Sequence, residues 1–404
     1  MQHYKYVILG AGPSGLSFAH TLKSLGEDSF LVIEKESVAG GLCRSETVDG
    51  APLDIGGGHF LDVKRQEALN LLFRFLPRSE WREYSRISKI KIRQMEIDYP
   101  LEANLWQLSA SDQIDFLESI AQAGCVGGLP MPESFEKWIS WKLGARIAEE
   151  YMLPYNRKIW SIPLDELGIY WLYKLPDVSF RETLQSCLES KPAGRIPAHG
   201  NFFYPKHYGY GEVWRRMGVA LGERLRASTT VTGIDVKNRV VNGCVRAEQI
   251  VSTIPWTSWP AIADVPGPII DAISRLRNAS IDVDYFPESL PTKAHWIYDP
   301  DERIAHHRVL CRSNFCEGSQ GYWTETNSKR AIDAKGYRHR NEYAYPLNTI
   351  KKPEAVAIVC DWASQNRITG LGRWGTWEHM NSDTAVSEGI REAKKSWEAG
   401  KNPR

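Results

Sequence analysis

The chain lacks an excess of one charge, a long hydrophobic run and a paired set of cysteines. Its 404 residues hold 50 Lys and Arg against 49 Asp and Glu, which argues against a general nucleic-acid-binding surface. No apolar run approaches the roughly 18–20 residues needed to cross a bilayer. The 7 cysteines are an odd number, and the close pair Cys311 and Cys316 has no second Cys or His pair at zinc spacing. These absences predict reduced thiols, a cytoplasmic protein, no metal site and no membrane span.

The chain does hold many aromatic rings that carry a polar atom. There are 15 Trp and 17 Tyr against 12 Phe. Such rings suit binding sites for planar or sugar-like ligands, and they also fill ordinary cores. An apolar fraction of 42% with 25% charged residues is typical of a globular protein. A strand pattern begins by Tyr4, so we expect no signal peptide.

The first chemical motif lies near the N-terminus. A strand pattern at residues 4–9 precedes Gly10-Ala11-Gly12-Pro13-Ser14-Gly15 and a helical pattern, and a second apolar run ends in Glu34. This context predicts a dinucleotide-binding turn. Gly10 permits the turn, Gly12 lets a pyrophosphate approach the helix N-terminus, and Gly15 lets helix and strand pack closely. Glu34, about twenty residues further on, is suited to accept hydrogen bonds from ribose hydroxyls.

Further glycine segments favour FAD over NAD. The run Gly40-Gly41-Leu42-Cys43-Arg44-Ser45 resembles an element of FAD-dependent oxidases of the amine-oxidase type. It is followed by Asp54-Ile55-Gly56-Gly57-Gly58-His59, whose glycines let the backbone lie against a flat ring, although glycine runs also mark flexible loops. Gly370-Leu371-Gly372-Arg373-Trp374-Gly375 repeats the glycine spacing without the strand–helix–strand context, so no second such turn is predicted.

The remaining patterns predict an α/β protein with a Rossmann-like FAD-binding domain, a helical insertion and an antiparallel β-sheet substrate domain. Residues 89–94 alternate like a strand, and helical patterns occupy 111–123 and 134–155. Strands are expected at 227–236, 249–254, 280–285, 293–299, 308–314, 321–325 and 338–345. A last helix is expected at 384–397, with Asp383 as its N-cap. The predicted FAD-binding domain is residues 1–98 with about 200–275 and 360–404; the insertion is 99–199, and the substrate sheet is 276–359.

Several motifs resemble those of UDP-galactopyranose mutases, particularly the eukaryotic type. The segment Pro154-Tyr155-Asn156-Arg157-Lys158-Ile159-Trp160 resembles their Pro-Tyr-Asn-x-Lys-Val-Trp motif, and Tyr99-Pro100-Leu101 resembles Tyr-Pro-Phe. Tyr345-Pro346 and Gly372-Arg373-Trp374-Gly375-Thr376-Trp377 resemble the Tyr-Pro and Gly-Arg-Phe-Gly-Ser-Trp motifs of the same family. The match is collinear over nearly the whole chain, which also resembles the wider FAD-dependent amine-oxidase-like superfamily.

The resemblance implies a redox-neutral isomerase of carbohydrate biosynthesis that interconverts the pyranose and furanose forms of a nucleotide-diphosphate sugar. FAD in its reduced form, with NADPH or NADH as reductant, would act through N5 as a nucleophile on the anomeric carbon. This chemistry belongs to the cofactor, which accounts for a sequence without an evident Ser/His/Asp or Cys/His set.

The resemblance also implies roles for individual residues. Gly58 and His59 match the loop at flavin N5, and Arg373 matches an arginine that stabilises the anionic reduced flavin. The implied cofactor contacts are Gly10, Gly12, Pro13, Ser14, Gly15, Glu34, Lys35, Gly41, Leu42, Arg44, Gly57, Val231, Arg373 and Asp383. The implied substrate contacts are Tyr99, Glu102, Tyr151, Asn156, Trp160, Tyr298, Arg308, Tyr345, His379 and Asn381. Taken singly, the aromatic residues are more often core, and the arginines are more often ion-pair partners.

The chain departs from the family pattern at three substrate positions. Lys174 or Leu175 stands where the family has a second pyrophosphate-binding arginine, and His379 stands in place of a tyrosine. Glu102 replaces a glutamine that reads uracil. A carboxylate only accepts hydrogen bonds, which suits the adjacent N1–H and N2–H of guanine better than uracil. The departure therefore favours guanine as the base, unless Glu102 points to solvent.

Two other functions remain open from the sequence. An FAD-dependent oxidase or desaturase of the amine-oxidase type would share the N-terminal motifs but not the segment from Asn156 to Trp160 or the Tyr298/Arg308 pair. A non-catalytic flavin-binding protein would leave the implied phosphate contacts idle. The sugar, the choice of NADH or NADPH and the oligomeric state are not encoded in any motif.

Overall fold

A computed structural model describes residues 1–175, 177–194, 200–333 and 336–401. Its strands are β1 Gln2–Leu9, β2 Phe30–Ile33, β3 Ser45–Val48, β4 Ala51–Asp54, β5 Leu61–Asp62, β6 Trp81–Ser85, β7 Ser88–Ile92, β8 Met95–Asp98, β9 Asn201–Pro205, β10 Leu225–Arg226, β11 Ile234–Asp235, β12 Val240–Val241, β13 Val245–Ser252, β14 Asn278–Phe286, β15 Trp296–Tyr298, β16 Arg308–Leu310, β17 Tyr322–Asn327, β18 Arg338–Pro346 and β19 Ile368–Gly370. Its helices are α1 Pro13–Ser24, α2 Gln66–Leu72, α3 Ala110–Ala121, α4 Phe135–Ile147, α5 Leu153–Trp160, α6 Phe180–Glu189, α7 Gly211–Leu221, α8 Trp259–Ile262, α9 Gly267–Ser274, α10 Lys352–Gln365, α11 Gly372–Gly375 and α12 Ser382–Lys401. Among these described helices, none combines the length and the apolar content of a membrane span.

The first sheet has the arrangement of a dinucleotide-binding fold. Its central strand β1 pairs in parallel with β2 on one side and with β13 on the other. β10 extends it beyond β2, and β19 joins β13 in parallel. All four residues of β2 are buried, as expected for a parallel strand covered on both faces. Helices α1 and α12 pack together on one side, so the two ends of the chain meet at this sheet.

The second sheet stands beside the first in the order β18-β14-β17-β16-β15-β7-β8. Its pairs are antiparallel except for β15 and β7. A smaller sheet of β5, β9 and β6 joins the N-terminal part of the chain to residues 201–205. The predicted α/β fold, with a Rossmann-like part and an antiparallel sheet, is confirmed.

A mostly helical segment packs against the second sheet. α4 continues through a π-helical turn, Ala148–Met152, into α5, so the predicted family motif lies on one bent helix. Its apolar core includes Phe116, Phe135, Ile139 and Trp160, and Tyr298 and Tyr345 of the sheet pack against it. This packing places α5 against β17, with its Tyr155 and Trp160 rings reaching Tyr298 and Tyr345.

Some predicted elements differ from the structure. Residues 227–236 are not one strand, since only Ile234–Asp235 pairs and the preceding residues, Val231 included, are irregular. α12 begins at Ser382, so Asp383 lies in its first turn and is not the N-cap. The strand predicted at 308–314 ends at Leu310, because Arg312–Asn314 turns into a short 3-10 helix.

Candidate active site

The first glycine turn lies at the carboxyl end of β1 and leads directly into α1. Gly10 has a φ of +99°, which side-chain-bearing residues rarely adopt. A Cβ at Gly15 would collide with the carbonyl oxygen of Gly10. Both positions therefore require glycine, and the turn holds α1 close to β1.

The N-terminus of α1 is partly exposed where it meets the second glycine segment, and this surface around Gly12, Pro13 and Gly41 is called the cleft over α1. Gly12 precedes the helix without a side-chain cap, and a Cβ there would meet no atom nearer than the Gly41 Cα at 4.0 Å. Pro13 is in the first turn of α1, Ser14 is buried, and Leu42, next to Gly41, is half-buried. Free N–H groups and the helix dipole favour an anion at this point. The exposed side of the two glycine segments, at the N-terminus of α1, thus suits the pyrophosphate of a dinucleotide.

Glu34 lies buried at the end of β2, beside this cleft. Its carboxylate accepts hydrogen bonds from the Ala11 N–H at 2.7 Å and from the Glu36 N–H at 3.0 Å. Arg44 bonds the Gly41 carbonyl at 3.1 Å and pairs with Glu36 at 3.2 Å. Lys35 is exposed and pairs with Glu36 at 3.8 Å, whereas Val231 is half-buried and packs against the apolar core of the first sheet. The position of Glu34 suits a ribose, since a carboxylate keeps lone pairs beyond those two bonds.

The loop after β4 is held by a glutamate of the second sheet. Glu325, on β17 and 1% exposed, accepts a hydrogen bond from the Gly58 N–H at 2.7 Å. Gly57 has a φ of +89°, and a Cβ on it would collide with the Glu325 carboxylate. Burial lowers the pKa of His59 to about 4, with Arg373 lowering it further, so His59 is neutral at physiological pH. Its Nδ1 lies 3.1 Å from the Gly57 carbonyl oxygen.

Arg308 and Tyr298 lie beside this loop. They are cross-strand partners on β16 and β15, and Arg308 is likewise opposite Glu325 on β17. The Glu325 carboxylate accepts from Arg308 Nε at 2.9 Å and Nη2 at 2.5 Å. Burial would raise the pKa of Glu325, but Arg308, His307 and the Gly58 N–H outweigh it and hold the pKa at about 2. The carboxylate is therefore ionised, and the guanidinium has donors left for an anionic ligand.

Tyrosine rings surround Arg308. The Tyr155 and Tyr298 rings meet edge to face with centroids 5.6 Å apart. Burial tends to lower the pKa of Arg308, whereas Glu325 and the nearby Tyr345, Tyr155 and Tyr298 raise it. The three residues predicted to contact pyrophosphate, Tyr298, Arg308 and Tyr345, thus share one region of the second sheet.

Arg373 connects this region to the glycine-rich segment at the end of the first sheet. It donates to the Ala344 and Met380 carbonyl oxygens, each at 2.7 Å, and its guanidinium lies 5.7 Å from the Tyr345 ring centroid. Burial lowers its pKa. The His379 ring lies 5.0 Å from Tyr345. A cation fixed by two carbonyls keeps its place whether or not an anion is bound.

The repeated glycine spacing after β19 has its own role. A Cβ at Gly372 would collide with the Ser14 hydroxyl, so the segment around α11 packs against the first turn of α1. It follows a strand of the first sheet but forms only a four-residue helix, Gly372–Gly375. As predicted, it is not a second dinucleotide-binding turn. It brings Arg373 towards the cleft over α1.

Glu102 is buried at the other end of the site, with 7% of its surface exposed. Burial raises its pKa to about 7, against the opposing effects of its own backbone N–H and Lys142. Glu102 lies near enough to contribute, after burial, to the raised pKa of both Tyr99 and Tyr151. Within the described ranges no other residue gives its side chain a hydrogen bond. Most of its surface is therefore shielded from solvent.

Asn156 and Trp160 bond to each other along α5. Trp160 Nε1 donates to Asn156 Oδ1 at 2.8 Å, and Asn156 Nδ2 donates to the Met152 carbonyl at 2.7 Å. The Trp160 ring meets Tyr345 with centroids 5.9 Å apart. The polar atoms of both side chains are thus used within the helix, and the face that Trp160 offers the site is aromatic.

Asn381 and Asp383 lie at the start of α12. Asn381 is exposed, whereas Asp383 is buried and pairs with Arg65 at 2.5 Å. The backbone of Lys174 forms part of a 3-10 helix, but its side chain lies outside the described part of the structure, so its role as a substitute arginine stays a prediction.

The structure adds Glu325, Tyr155 and Arg86 to the residues around this site. Arg86 packs between the Tyr99 and Trp296 rings, at 4.4 and 4.8 Å, and donates to the Tyr298 hydroxyl at 3.2 Å. Tyr155 lies inside the quoted family motif, which is the signal that could have identified it. Glu325 had only a strand pattern around it, because its contacts are with residues distant in sequence.

Among the described residues, no group of three or more His, Cys, Asp or Glu side chains is arranged to hold a metal ion. A family model described as an NAD(P)-binding Rossmann-like domain matches residues 8–76. A protein of Methanothermococcus thermolithotrophicus, described as an uncharacterized protein in the nifH2 3′ region, is 43% identical over 83 residues, which are 20% of this chain and 78% of that protein.

Solved structures resemble the chain over nearly its whole length. Reduced UDP-galactopyranose mutase superposes with a TM-score of 0.89 at 21% identity, over 99% of this chain and 96% of that one. Cyclohexylamine oxidase from Brevibacterium oxydans superposes with a TM-score of 0.67 at 16% identity, over 99% of this chain and 100% of that one. At these identities the likeness establishes the fold. The chain therefore contains an NAD(P)-binding Rossmann-like domain, is related in sequence to the methanococcal protein, and has the fold of UDP-galactopyranose mutase.

Proposed function

We propose that the protein is an FAD-dependent pyranose–furanose mutase of a nucleotide-diphosphate sugar. The observation that carries this proposal is the convergence of Tyr298, Arg308 and Tyr345 beside the Gly57–Gly58 peptide, which Glu325 joins to Arg308. A pyrophosphate site next to a flavin-facing loop is what a sugar nucleotide needs in order to present its anomeric carbon to the cofactor. An enzyme that only oxidises a small amine has no use for it.

Bound FAD would supply a nucleophilic N5 in its reduced form, while the protein binds and orients the substrate. The residues that would hold FAD are those around the cleft over α1, together with Glu34 and Arg44. Arg308 would bind the pyrophosphate through its remaining donors, with the Tyr298 and Tyr345 hydroxyls beside it. Arg373 would place a fixed positive charge near the reacting groups. His59, neutral because burial lowers its pKa to about 4, would add no competing charge.

We also propose guanine as the base. Glu102 is buried near Tyr99 and Tyr151 and has no hydrogen-bond donor from another described side chain. A buried polar group without a partner is costly, so a ligand that supplies donors is favoured there. Guanine offers N1–H and N2–H to one carboxylate, and the two tyrosine rings would stack on it. Dissociation constants of GDP and UDP with the reduced enzyme test this: GDP should bind more tightly, and tighter UDP binding would overturn it.

An amine-oxidase-type oxidoreductase or desaturase is the second candidate, because the fold of cyclohexylamine oxidase also matches. The two functions differ in what happens to the flavin. Titration of the oxidised enzyme with amines under anaerobic conditions should leave the flavin absorbance unchanged if the protein is a mutase. Stoichiometric bleaching by an amine would favour the oxidase. Dithionite, NADPH and NADH in parallel would identify the physiological reductant.

We further infer that the protein acts in the cytoplasm and is divided as predicted into residues 1–98 with about 200–275 and 360–404, the insertion 99–199 and the substrate sheet 276–359. β7 and β8 lie inside the first range yet pair in the second sheet, which ties the two parts together.

A further inference from the structure

One carboxylate links the proposed phosphate site to the proposed flavin loop. The two oxygens of Glu325 have different partners: one accepts from Arg308 at 2.9 and 2.5 Å, and the other accepts from the Gly58 N–H at 2.7 Å. The side chain is 1% exposed, so water cannot replace either partner readily. A change in the contact with Arg308 must therefore alter the contact with Gly58, and the reverse.

The loop has little freedom to move independently of this carboxylate. A Cβ on Gly57 would collide with Glu325, so the Gly57–Gly58 peptide rests directly on it. On the other side, His59 Nδ1 lies 3.1 Å from the Gly57 carbonyl oxygen. The orientation of that peptide is thus set by two side chains, one of which is itself held by Arg308.

The guanidinium of Arg308 would be shared once a ligand binds. A pyrophosphate is a stronger partner than one carboxylate because it carries more charge and more acceptor atoms. As the pyrophosphate attracts the guanidinium, the Glu325 carboxylate loses part of the positive charge that balances it. It then depends more on its hydrogen bond from the Gly58 N–H. The buried His307, whose Nε2 lies 3.6 Å from Glu325, is the other group that faces the carboxylate.

We propose that Glu325 is a positioning residue that couples nucleotide binding at Arg308 to the conformation of the Gly57–Gly58 peptide at the flavin. The inference rests on the proposed function, in which Arg308 binds pyrophosphate and the loop faces the cofactor. Coupling of this kind is reciprocal. If nucleotide binding shifts the equilibrium between oxidised and reduced flavin through the loop, the redox state of the flavin changes nucleotide affinity by the same factor.

The test is the ratio of nucleotide dissociation constants for the oxidised and reduced holoenzyme, measured with GDP and, in parallel, UDP. We expect a ratio of at least about fivefold in the wild-type protein. In Glu325→Gln the ratio should fall towards one, since an uncharged side chain no longer responds to Arg308. The difference between the midpoint potentials of the bound flavin with and without nucleotide measures the same coupling, and it does not depend on catalytic activity.

Glu325→Asp and Glu302→Gln complete the experiment. The aspartate keeps the charge but is too short to reach both Arg308 and Gly58, so it should bind nucleotide yet lose the redox dependence. Glu302 lies in the turn between β15 and β16, is 44% exposed and pairs only loosely with Arg157 at 3.7 Å, so its variant should retain the wild-type ratio. FAD content and thermal unfolding would show that each variant is folded.

Three outcomes separate the claims. If the wild-type ratio is near one, or if both Glu325 variants keep the wild-type ratio, the coupling is refuted. If neither nucleotide binds the wild-type holoenzyme in either redox state, the proposed function fails first. If nucleotide still binds both Glu325 variants but the ratio of the two dissociation constants falls towards one, the coupling is supported.

Discussion

At the scale of single residues, the protonation of Glu102 decides which hydrogen bonds a base can make. Burial raises its pKa to about 7, so the side chain is a neutral acid below that pH and a carboxylate above it. The carboxylate accepts both N–H groups of guanine. The neutral acid can instead accept the single N–H of uracil while it donates its own O–H to a uracil carbonyl.

The preference for GDP over UDP should therefore increase with pH. Between about pH 6 and about pH 8 we expect the ratio of UDP to GDP dissociation constants to rise roughly tenfold, the effect of one well-placed hydrogen bond. Isothermal titration calorimetry across this pH range measures the two dissociation constants. In Glu102→Gln the ratio should not vary with pH and should shift towards UDP; a pH-dependent ratio in that variant would contradict the assignment.

Arg308 gives a second prediction at this scale. Arg308→Lys replaces a planar fork with a point charge that cannot serve Glu325 and a pyrophosphate together. We expect the KM for the sugar nucleotide to rise about ten- to a hundredfold. Arg303→Lys is the matched control, because Arg303 is 90% exposed and bonds only Asp301 of the same hairpin. Equal effects of the two substitutions would argue against a phosphate role for Arg308.

At the scale of elements, α5 is attached to the β15–β16 hairpin by a buried lysine. Lys158 is fully buried and donates to the carbonyl oxygens of Asp299 at 2.7 Å and Asp301 at 2.8 Å. Burial lowers its pKa to about 8, although the Asp299 carboxylate partly offsets this. The lysine thereby fixes the distance between Asn156 and Trp160 on the helix and Tyr298 and Arg308 on the hairpin.

Lys158→Met should destabilise the fold and loosen the site. It leaves the carbonyl oxygens of Asp299 and Asp301 without their lysine donor and removes one of the cations near the Asp299 carboxylate, at a cost of about 3 kcal/mol in the free energy of unfolding. Lys91→Met is the control, since Lys91 also pairs with Asp299, at 3.1 Å, but is 43% exposed and should contribute under about 1 kcal/mol. Urea unfolding of both variants measures the free energies. Equal losses of unfolding free energy would show that Lys158 does not attach α5 to the hairpin in this way.

The elements differ in how well sequence predicts them. The strand, turn and helix at residues 2–24 follow from periodicity and glycine spacing, because their contacts are local. The strand expected at 227–236 is reduced to Ile234–Asp235, since Val231 and Val236 pack against the apolar core of the first sheet without strand pairing. Glu325 and Arg86 escaped prediction for a related reason. Their partners lie far away in sequence, and a strand pattern does not show which residue the next strand will bring opposite.

At the scale of the whole molecule, the two sheets are interleaved along the chain. The N-terminal part supplies β1 and β2 to the first sheet and β7 and β8 to the second, and the chain returns to the first sheet with β13 and β19. The cleft over α1 and the Arg308 region are consequently joined by strands from the same stretches of chain. This arrangement suits a reaction in which substrate and cofactor must be held at a fixed separation.

The most direct test of the proposed function is turnover of a sugar nucleotide by a catalytic amount of reduced enzyme. The protein, loaded with FAD and reduced by dithionite without oxygen, is incubated with GDP-hexoses and UDP-hexoses, and ring size is followed by NMR while flavin absorbance is recorded. We predict many turnovers per flavin from pyranose to furanose, or the reverse, with the flavin remaining reduced. No ring interconversion, or product formed only in proportion to flavin oxidised, would contradict it.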